Sequence, residues 1–204
     1  MEEYGVITQL TFYVVENVCN CIREWKALHR NVAPISINIS KKDLCSPLFA
    51  KRLLGILQLY RIGSSQIQLE ITETASVPDA AEIAENIMAL RSIGFAVALD
   101  DFGTGYASLS CLKTLPVDGI KVDRLFVKDI ETDPLNQGIL RSILDLARCM
   151  HLDIVYEGIE TRAQVDYLRK FEFKTGQGYY YARPMPKAEA AGYLEKRCDL
   201  KAAR

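Results

Sequence analysis

The sequence lacks the marks of several common protein classes. Its 204 residues contain 25 Lys and Arg against 26 Asp and Glu, so the basic excess that is typical of nucleic-acid-binding domains is missing. No stretch approaches the roughly 18 consecutive apolar residues of a membrane-spanning helix. The first ten residues show no basic segment followed by an apolar one, as a secretory signal does. We therefore expect no DNA or RNA partner and no membrane segment in this chain.

Residues that bind zinc are also scarce. The sequence has two histidines, and none of its six cysteines forms a CxxC pair. Zinc sites need three or four such ligands, so a zinc centre is not expected. Cysteines without partners at disulfide-like spacings are typical of a reducing compartment, and we expect a cytoplasmic location with free thiols.

Helical and extended segments alternate along the whole chain. A leading amphipathic helix, with apolar residues every three or four positions from Ile7 to Leu28, precedes six short strands. The strands are predicted to begin near residues 35, 67, 95, 119, 153 and 175, each followed by a helix or a helical turn. This alternation is typical of βαβ crossovers, so we expect one α/β domain, residues 1–204, with a parallel sheet. The pattern alone fits both an open doubly wound sheet and a barrel.

Polar residues stand at the carboxyl end of nearly every predicted strand, and the loops that follow add Glu73 and Glu160. The strand-end residues are Asn38, Glu70, Asp100, Asp101, Lys121, Glu157 and Gln177. In parallel α/β folds ligands bind beyond these strand ends, where residues from distant parts of the sequence converge. Each residue alone could have a structural role, such as Asn38 in a turn, but their common position favours a shared site.

The chemistry of this set predicts a particular kind of site. Carboxylates and an amide, without His or Cys, are oxygen ligands that suit Mg²⁺ or Mn²⁺ better than zinc. The adjacent Asp100 and Asp101, with a further glutamate, suit two metal ions about 3.5–4 Å apart, an arrangement that clamps a phosphate. Lys121 could hold the attacking water or offset the charge of the phosphate. Metal-assisted hydrolysis of a phosphoester is the predicted reaction class.

A glycine-containing loop follows the aspartate pair. Gly103 and Gly105, on either side of Thr104, allow the chain to turn sharply near a metal ion or a phosphate. A plain tight turn into the next helix explains these residues equally well. The Asp-Phe-Gly tripeptide at 101–103 does not indicate a protein kinase, because the upstream glycine-rich loop, strand lysine and HRD segment are missing.

Six segments that span nearly the whole chain resemble the EAL domain family, the bacterial cyclic di-GMP phosphodiesterases. In family order they are SINIS (36–40), LEITET (69–74), ALDDFGTGYASL (98–109), LPVDGIKVDRLFV (115–127), YEGIET (156–161) and QGYYYARPMP (177–186). The DDFGTGY segment with the downstream lysine and EGIE is a highly specific combination. The resemblance implies a TIM-like (β/α)₈ barrel that hydrolyses one phosphodiester of cyclic di-GMP to give linear pGpG, using Mg²⁺ or Mn²⁺ in a two-metal site.

The resemblance also implies which residues form the metal site. Asn38, Glu70, Asp100 and Asp101 resemble the metal ligands of the family, with Asp100 bridging the two ions. Lys121 would contact the hydrolytic water.

Further roles are implied around this centre. Glu157 would support the metal–water site, and Glu73 would anchor the loop after Asp101, through which the family forms homodimers. The remaining implied residues shape the substrate pocket: Glu160, Gln177, Gly103, Thr104 and Gly105.

The sequence departs from the family pattern in three places. Tyr156 stands where the family usually has a small residue such as Ala, and Ala107 replaces a common Ser. The Glu-Ala-Leu segment that names the family, with its metal-binding Glu and an Arg that grips the substrate phosphate, should lie upstream of residue 1. A closed barrel typically needs about 250 residues, so we expect an N-terminally incomplete barrel of about six βα units whose first strand region is missing.

Three hypotheses follow. The first is a cyclic di-GMP phosphodiesterase domain, with sensor or GGDEF domains in a longer parent protein. The second is a catalytically inactive EAL-like module that binds cyclic di-GMP or a protein partner, because the Glu-Ala-Leu segment is absent. The third is an unrelated Mg²⁺-dependent barrel enzyme that uses Lys121 for carbonyl chemistry.

Overall fold

Six parallel strands form one sheet whose order in space follows their order in the sequence. The computed structural model describes residues 2–28, 32–72, 80–104, 108–171 and 173–202. The strands are β1 (Ile35–Asn38), β2 (Ile67–Thr72), β3 (Ala96–Phe102), β4 (Gly119–Val122), β5 (Asp153–Tyr156) and β6 (Thr175–Gly176). A doubly wound sheet would reverse its strand order once, whereas this sheet curls as a half-barrel. The predicted incomplete barrel of about six units is confirmed.

Helices connect the successive strands, as parallel pairing requires. They are α1 (Glu2–Ala27), α2 (Lys41–Leu44), α3 (Phe49–Tyr60), α4 (Ala80–Ser92), α5 (Ser108–Thr114), α6 (Arg124–Val127), α7 (Pro134–Cys149), α8 (Arg162–Leu168) and α9 (Lys187–Ala202), with 3₁₀ turns at Ser64–Gln66 and Arg169–Phe171. The predicted starts of α4 at Pro78 and of α5 at Tyr106 lie outside the described residues. Within the described ranges, no helix has both the length and the apolar character needed to cross a bilayer.

The hydrophobic core lies between the outer face of the sheet and the helices. Along β2, Ile67, Leu69 and Ile71 are at most 1% exposed and point to the same face, because side chains alternate along a strand. Leu99 and Ile120, which pair across β3 and β4, are fully buried in the same layer. The alternate positions face the concave inner side, so the sheet separates an apolar outer layer from a polar interior.

The leading helix α1 buries a different stripe from the predicted one. The core residues of this helix are Phe12, Val15, Cys19 and Ile22. Of the predicted stripe, Leu10 is 59% exposed and Ile7 is 39% exposed. Packing against α3 explains the rotation, because the Phe12 ring lies 5.5 Å from the Phe49 ring and the Arg52 guanidinium lies 4.0 Å from the Phe12 ring centroid.

The predicted cap of α8 is confirmed. The hydroxyl of Thr161 accepts a hydrogen bond from the Gln164 backbone N–H, and Gln164 Oε1 accepts one from the Thr161 backbone N–H at 2.9 Å. The same glutamine donates through Nε2 to the Val127 carbonyl at the end of α6. The capping residues therefore also connect α8 to the preceding crossover.

Two leucines of α3 provide a matched test of the packing. Leu57 is 1% exposed and Leu59 is 77% exposed. We expect Leu57→Ala to lower the free energy of unfolding by about 2–5 kcal/mol, because it removes buried methyl groups and leaves a cavity. Leu59→Ala should change it by no more than about 0.5 kcal/mol. Urea denaturation followed by circular dichroism measures both, and equal losses would show that α3 packs through another face.

Candidate functional site

Charged side chains from four strands meet on the inner face of the sheet. Glu70 lies in β2, Asp100 in β3 and Lys121 in β4, and Glu157 directly follows β5. Glu70 and Lys121 are 6% and 5% exposed, although buried charged groups are rare unless they are paired. The pairing is found at the centre of the inner face.

Lys121 is the common partner of the three carboxylates. Its Nζ atom lies 2.7 Å from Glu70 Oε2, 2.8 Å from Asp100 Oδ1 and 2.7 Å from Glu157 Oε1. We call these four residues the Lys121 cluster. Three carboxylates against one ammonium leave the cluster with excess negative charge, which favours a further cation nearby.

The protonation states of the cluster follow from burial and from these contacts. Burial alone would lower the pKa of Lys121, but the bonds to Asp100, Glu157 and Glu70 together outweigh it and raise that pKa well above its usual value. The lysine is therefore a permanent ammonium. Burial raises the pKa of Glu157, the Lys121 contact opposes this, and the negative charges of Asp100 and Glu70 raise it further. A protonated Lys121 is not a nucleophile, which disfavours the carbonyl chemistry of the third hypothesis.

A β-bulge places two adjacent aspartates at this centre. Leu99 pairs with Ile120 and Phe102 pairs with Val122, so Asp100 and Asp101 together fill one step of the ladder between β3 and β4. Asp101 has φ of 53°, in the left-handed region that Asp tolerates better than most residues. The buried Phe102 then returns to the apolar layer.

The bulge produces a group of oxygens that fits a divalent metal ion. Carboxylate oxygens of Asp100, Asp101 and Glu157 lie within 4.8 Å of one another. The buried Asp100 Oδ1 has no hydrogen bond of acceptable angle to the described residues, although Lys121 Nζ lies close to it. An underused buried oxygen beside an exposed aspartate is suited to a hard cation such as Mg²⁺ or Mn²⁺.

Two more predicted residues lie beside the cluster. Asn38 ends β1 and is the register partner of Glu70 on β2. Gln177, just after β6, donates a hydrogen bond from Nε2 to Glu157 Oε1. The structure thus brings together residues from the ends of all six strands.

The predicted loop residues take less direct positions. Thr104 donates to the Asp101 carbonyl from its backbone N–H and from Oγ1 at 3.0 Å, so it stabilises the turn after the bulge, and the exposed Gly103 within this turn has φ of 101°. Glu160 is exposed, and its backbone N–H donates to Gln164 Oε1. Glu73 and Gly105 lie outside the described residues.

A groove of about 590 Å³ opens from this centre along the strand ends. Its charged and aromatic lining residues are Asp101, Asp123, Arg124, Glu157, Glu160, Tyr179 and Arg183. Sequence reasoning missed Asp123, Arg124, Tyr179 and Arg183. Their position after β4 and after β6 is the signal that could have found the first two, because they too follow strand ends.

Gly158 allows the Glu157 loop to pass close to α6. Its φ is 66°, and a Cβ atom there would lie 2.3 Å from the Cβ atom of Arg124. No other residue fits without moving α6, which carries one wall of the groove.

Comparison with known proteins gives this arrangement a family. The sequence pattern of the EAL domain family matches residues 1–184. This chain belongs to the EAL domain family. The resemblance drawn from the six sequence segments is thereby confirmed.

Curated relatives of this EAL domain are larger signalling proteins. The oxygen sensor protein DosP of Escherichia coli K12 is 32% identical over 200 residues, covering 98% of this chain and 25% of DosP. The cyclic di-GMP phosphodiesterase PdeR of the same organism is 33% identical over 185 residues, covering 91% of this chain and 28% of PdeR. The EAL domain described here spans about a quarter of the length of these relatives.

Solved structures share its architecture. The EAL domain of Mycobacterium smegmatis DcpA matches with a TM-score of 0.87 and 33% identity, covering 94% of this chain and 86% of that chain. The PaMucR phosphodiesterase in complex with c-di-GMP matches with a TM-score of 0.83 and 31% identity, covering 93% and 76%.

Asp101 and Asp129 allow a matched test of the metal site. Both have φ near 54°, a conformation that Asn also tolerates, so replacing either by Asn changes the charge and preserves the backbone. We expect Asp101→Asn to weaken Mn²⁺ binding at least about tenfold, because affinity for hard cations depends on the number of charged ligands. Asp129→Asn should leave it unchanged. Isothermal titration calorimetry measures both, and an unchanged affinity in Asp101→Asn would remove Asp101 from the ligand set.

Lys121→Met tests the electrostatic balance of the cluster. Without the ammonium, three carboxylates repel one another, and we expect the free energy of unfolding at pH 8 to fall by about 3–5 kcal/mol. Their folded-state pKa values would then lie above the unfolded ones, so the loss should shrink as the pH falls and the carboxylates become protonated. Urea denaturation at pH 5 and pH 8 measures this, with the exposed Lys113→Met as control. A loss that grows toward low pH would contradict the interpretation.

Proposed function

We propose that this EAL domain binds cyclic di-GMP at the inner strand ends and hydrolyses one of its phosphodiesters to give linear pGpG. One observation carries the proposal: Lys121 lies within 2.8 Å of Glu70, Asp100 and Glu157, with Asp101 at their edge. A permanent cation surrounded by oxygen ligands is the arrangement that phosphoryl transfer requires. Relatives named cyclic di-GMP phosphodiesterase support the choice of substrate.

Asp100, Asp101, Glu70 and Asn38 would hold Mg²⁺ or Mn²⁺ in this proposal. Such ions, when bound, lower the pKa of water and neutralise charge on the phosphate. Asp100 is the natural bridging ligand, because it lies between Glu70 on one side and the Asp101 and Glu157 carboxylates on the other. The fit rests on the all-oxygen donor set and on the underused Asp100 Oδ1.

The remaining residues of the cluster act on the water and on the phosphate. Lys121 cannot serve as a base, because its contacts keep it protonated; it donates hydrogen bonds that orient the attacking water and offset negative charge. Glu157, whose pKa burial raises, accepts the proton that the water loses as its oxygen attacks phosphorus. Gln177 holds the Glu157 carboxylate in place through Nε2. The ribose oxygen on the far side of the phosphorus leaves as the P–O bond breaks.

The groove supplies the substrate site. Arg124 and Arg183 line it beside Asp101 and Glu157, so positive charge is available for a phosphate next to the carboxylates. Glu160 lies in the same lining and offers an acceptor to a guanine N–H. Gly103, Thr104 and the residues that follow would shape the rim of this site.

The wider setting is also part of the proposal. The curated relatives are about four times longer than the matched region, which supports attachment to sensor or GGDEF domains. A homodimer would form through the loop after Asp101. The described cysteines are free thiols, which supports a cytoplasmic location.

The proposal is tested with purified protein, cyclic di-GMP and Mn²⁺. We expect conversion to pGpG, measured by liquid chromatography, and we expect Glu70→Gln to reduce the rate at least about a hundredfold, because it removes a charged ligand and a partner of Lys121. The exposed Glu85→Gln, on α4, is the matched control and should retain full activity.

Calorimetry with cyclic di-GMP distinguishes the alternatives. Binding without turnover above the Glu70→Gln level would overturn the enzyme proposal and support the catalytically inactive module. Failure of both binding and turnover would leave a protein partner as the remaining hypothesis.

A further inference from the structure

A small pocket lies on the outer side of β5, away from the groove. Its apolar walls come from Leu144 on α7, from Leu152 and Ile154, and from Phe171, and its volume is about 110 Å³. An engineered cavity of about 150 Å³ lined by Leu, Ile and Phe is known to bind benzene, so this pocket accommodates a body no larger than one ring.

Tyr156 contributes a polar group to this apolar pocket. The residue is 2% exposed and lines the pocket, and its hydroxyl makes no hydrogen bond to the residues that the structure describes. Burial raises the pKa of Tyr156 to about 12, with the Arg148 charge acting in the opposite direction. The hydroxyl is therefore a neutral donor with no protein acceptor among the described residues, which is an uncommon state for a buried tyrosine.

Positive charge surrounds the same pocket. Arg148 from α7 and Lys174 from the segment before β6 both line it. The acidic residues nearby do not cancel this charge: Asp153 also lines the pocket, and Asp145 is 3.6 Å from Arg148 in an exposed pair. Two cations, one phenol donor and one carboxylate leave the pocket with an anion-binding character.

We infer that this pocket binds a small organic carboxylate whose apolar body is a single ring or a short branched chain. The body would lie against Leu144, Ile154 and Phe171, and the carboxylate would accept hydrogen bonds from the Tyr156 hydroxyl and from Arg148. An inorganic anion would leave the apolar walls without contacts, and a neutral or cationic molecule would leave the two positive charges unpaired.

The pocket is separate from the site of the proposed function. Val155 and Glu157 face the inner side of the sheet, whereas Ile154 and Tyr156 face the outer layer, because side chains alternate along β5. A ligand here would contact the residue next to Glu157 without entering the groove. The inference therefore stands or falls independently of cyclic di-GMP hydrolysis.

Methyl-labelled NMR of the full chain, titrated with benzoate, tests the inference. We expect saturable shifts of the Leu144, Leu152 and Ile154 methyl signals, with no comparable shifts from benzylamine or inorganic phosphate at equal concentration. Tyr156→Phe, which removes only the hydroxyl, should weaken benzoate binding about fivefold to tenfold. Arg148→Gln should weaken it about tenfold.

The matched control is Lys51→Gln, an exposed charge on α3 that should leave the affinity for benzoate unchanged. The inference is overturned if benzoate causes no saturable shift at these methyl groups, or if benzylamine or phosphate shifts them equally. It is also overturned if both Tyr156→Phe and Arg148→Gln bind benzoate as tightly as the parent protein.

Discussion

The contact between Lys121 and three carboxylates is the constraint on which the inner face of this domain depends. Two like charges in a low-dielectric interior are costly, and three would be more so without a cation among them. Each carboxylate comes from a different strand, so the lysine can satisfy all of them only if β2, β3, β4 and the end of β5 are curved around it. The chemistry of the site and the shape of the sheet are therefore one problem with one solution.

Residue patterns predict much of this arrangement because it depends on local rules. Apolar runs bounded by turns identify the six strands, and ligands of parallel α/β folds lie at strand ends. Glu70 and Lys121 each interrupt an apolar strand with a charge, and such residues are explained only by a shared site. The bulge leaves a trace too, since alternation after Val97 and Leu99 resumes at Phe102 and not at residue 101.

Other features could not be predicted because they depend on packing between distant segments. The buried stripe of α1 is set by Phe49 and Arg52 on α3, which no periodicity within α1 contains. Arg183 reaches the groove from the segment after β6, and only the fold brings it beside Asp101. The unusual Tyr156 was visible as a departure from the family pattern, but the empty space beside its hydroxyl was not.

The open sheet gives the Lys121 contacts a mechanical meaning. A closed barrel has its curvature set by the pairing of its last strand with its first, whereas the described sheet ends at β1 and at β6. Flattening such a sheet would separate the inner ends of β2 to β5 and lengthen every bond from Nζ. The ammonium group thus works as a tie across an arch, so that the bending stiffness of the sheet is partly electrostatic and varies with whatever shares those carboxylates.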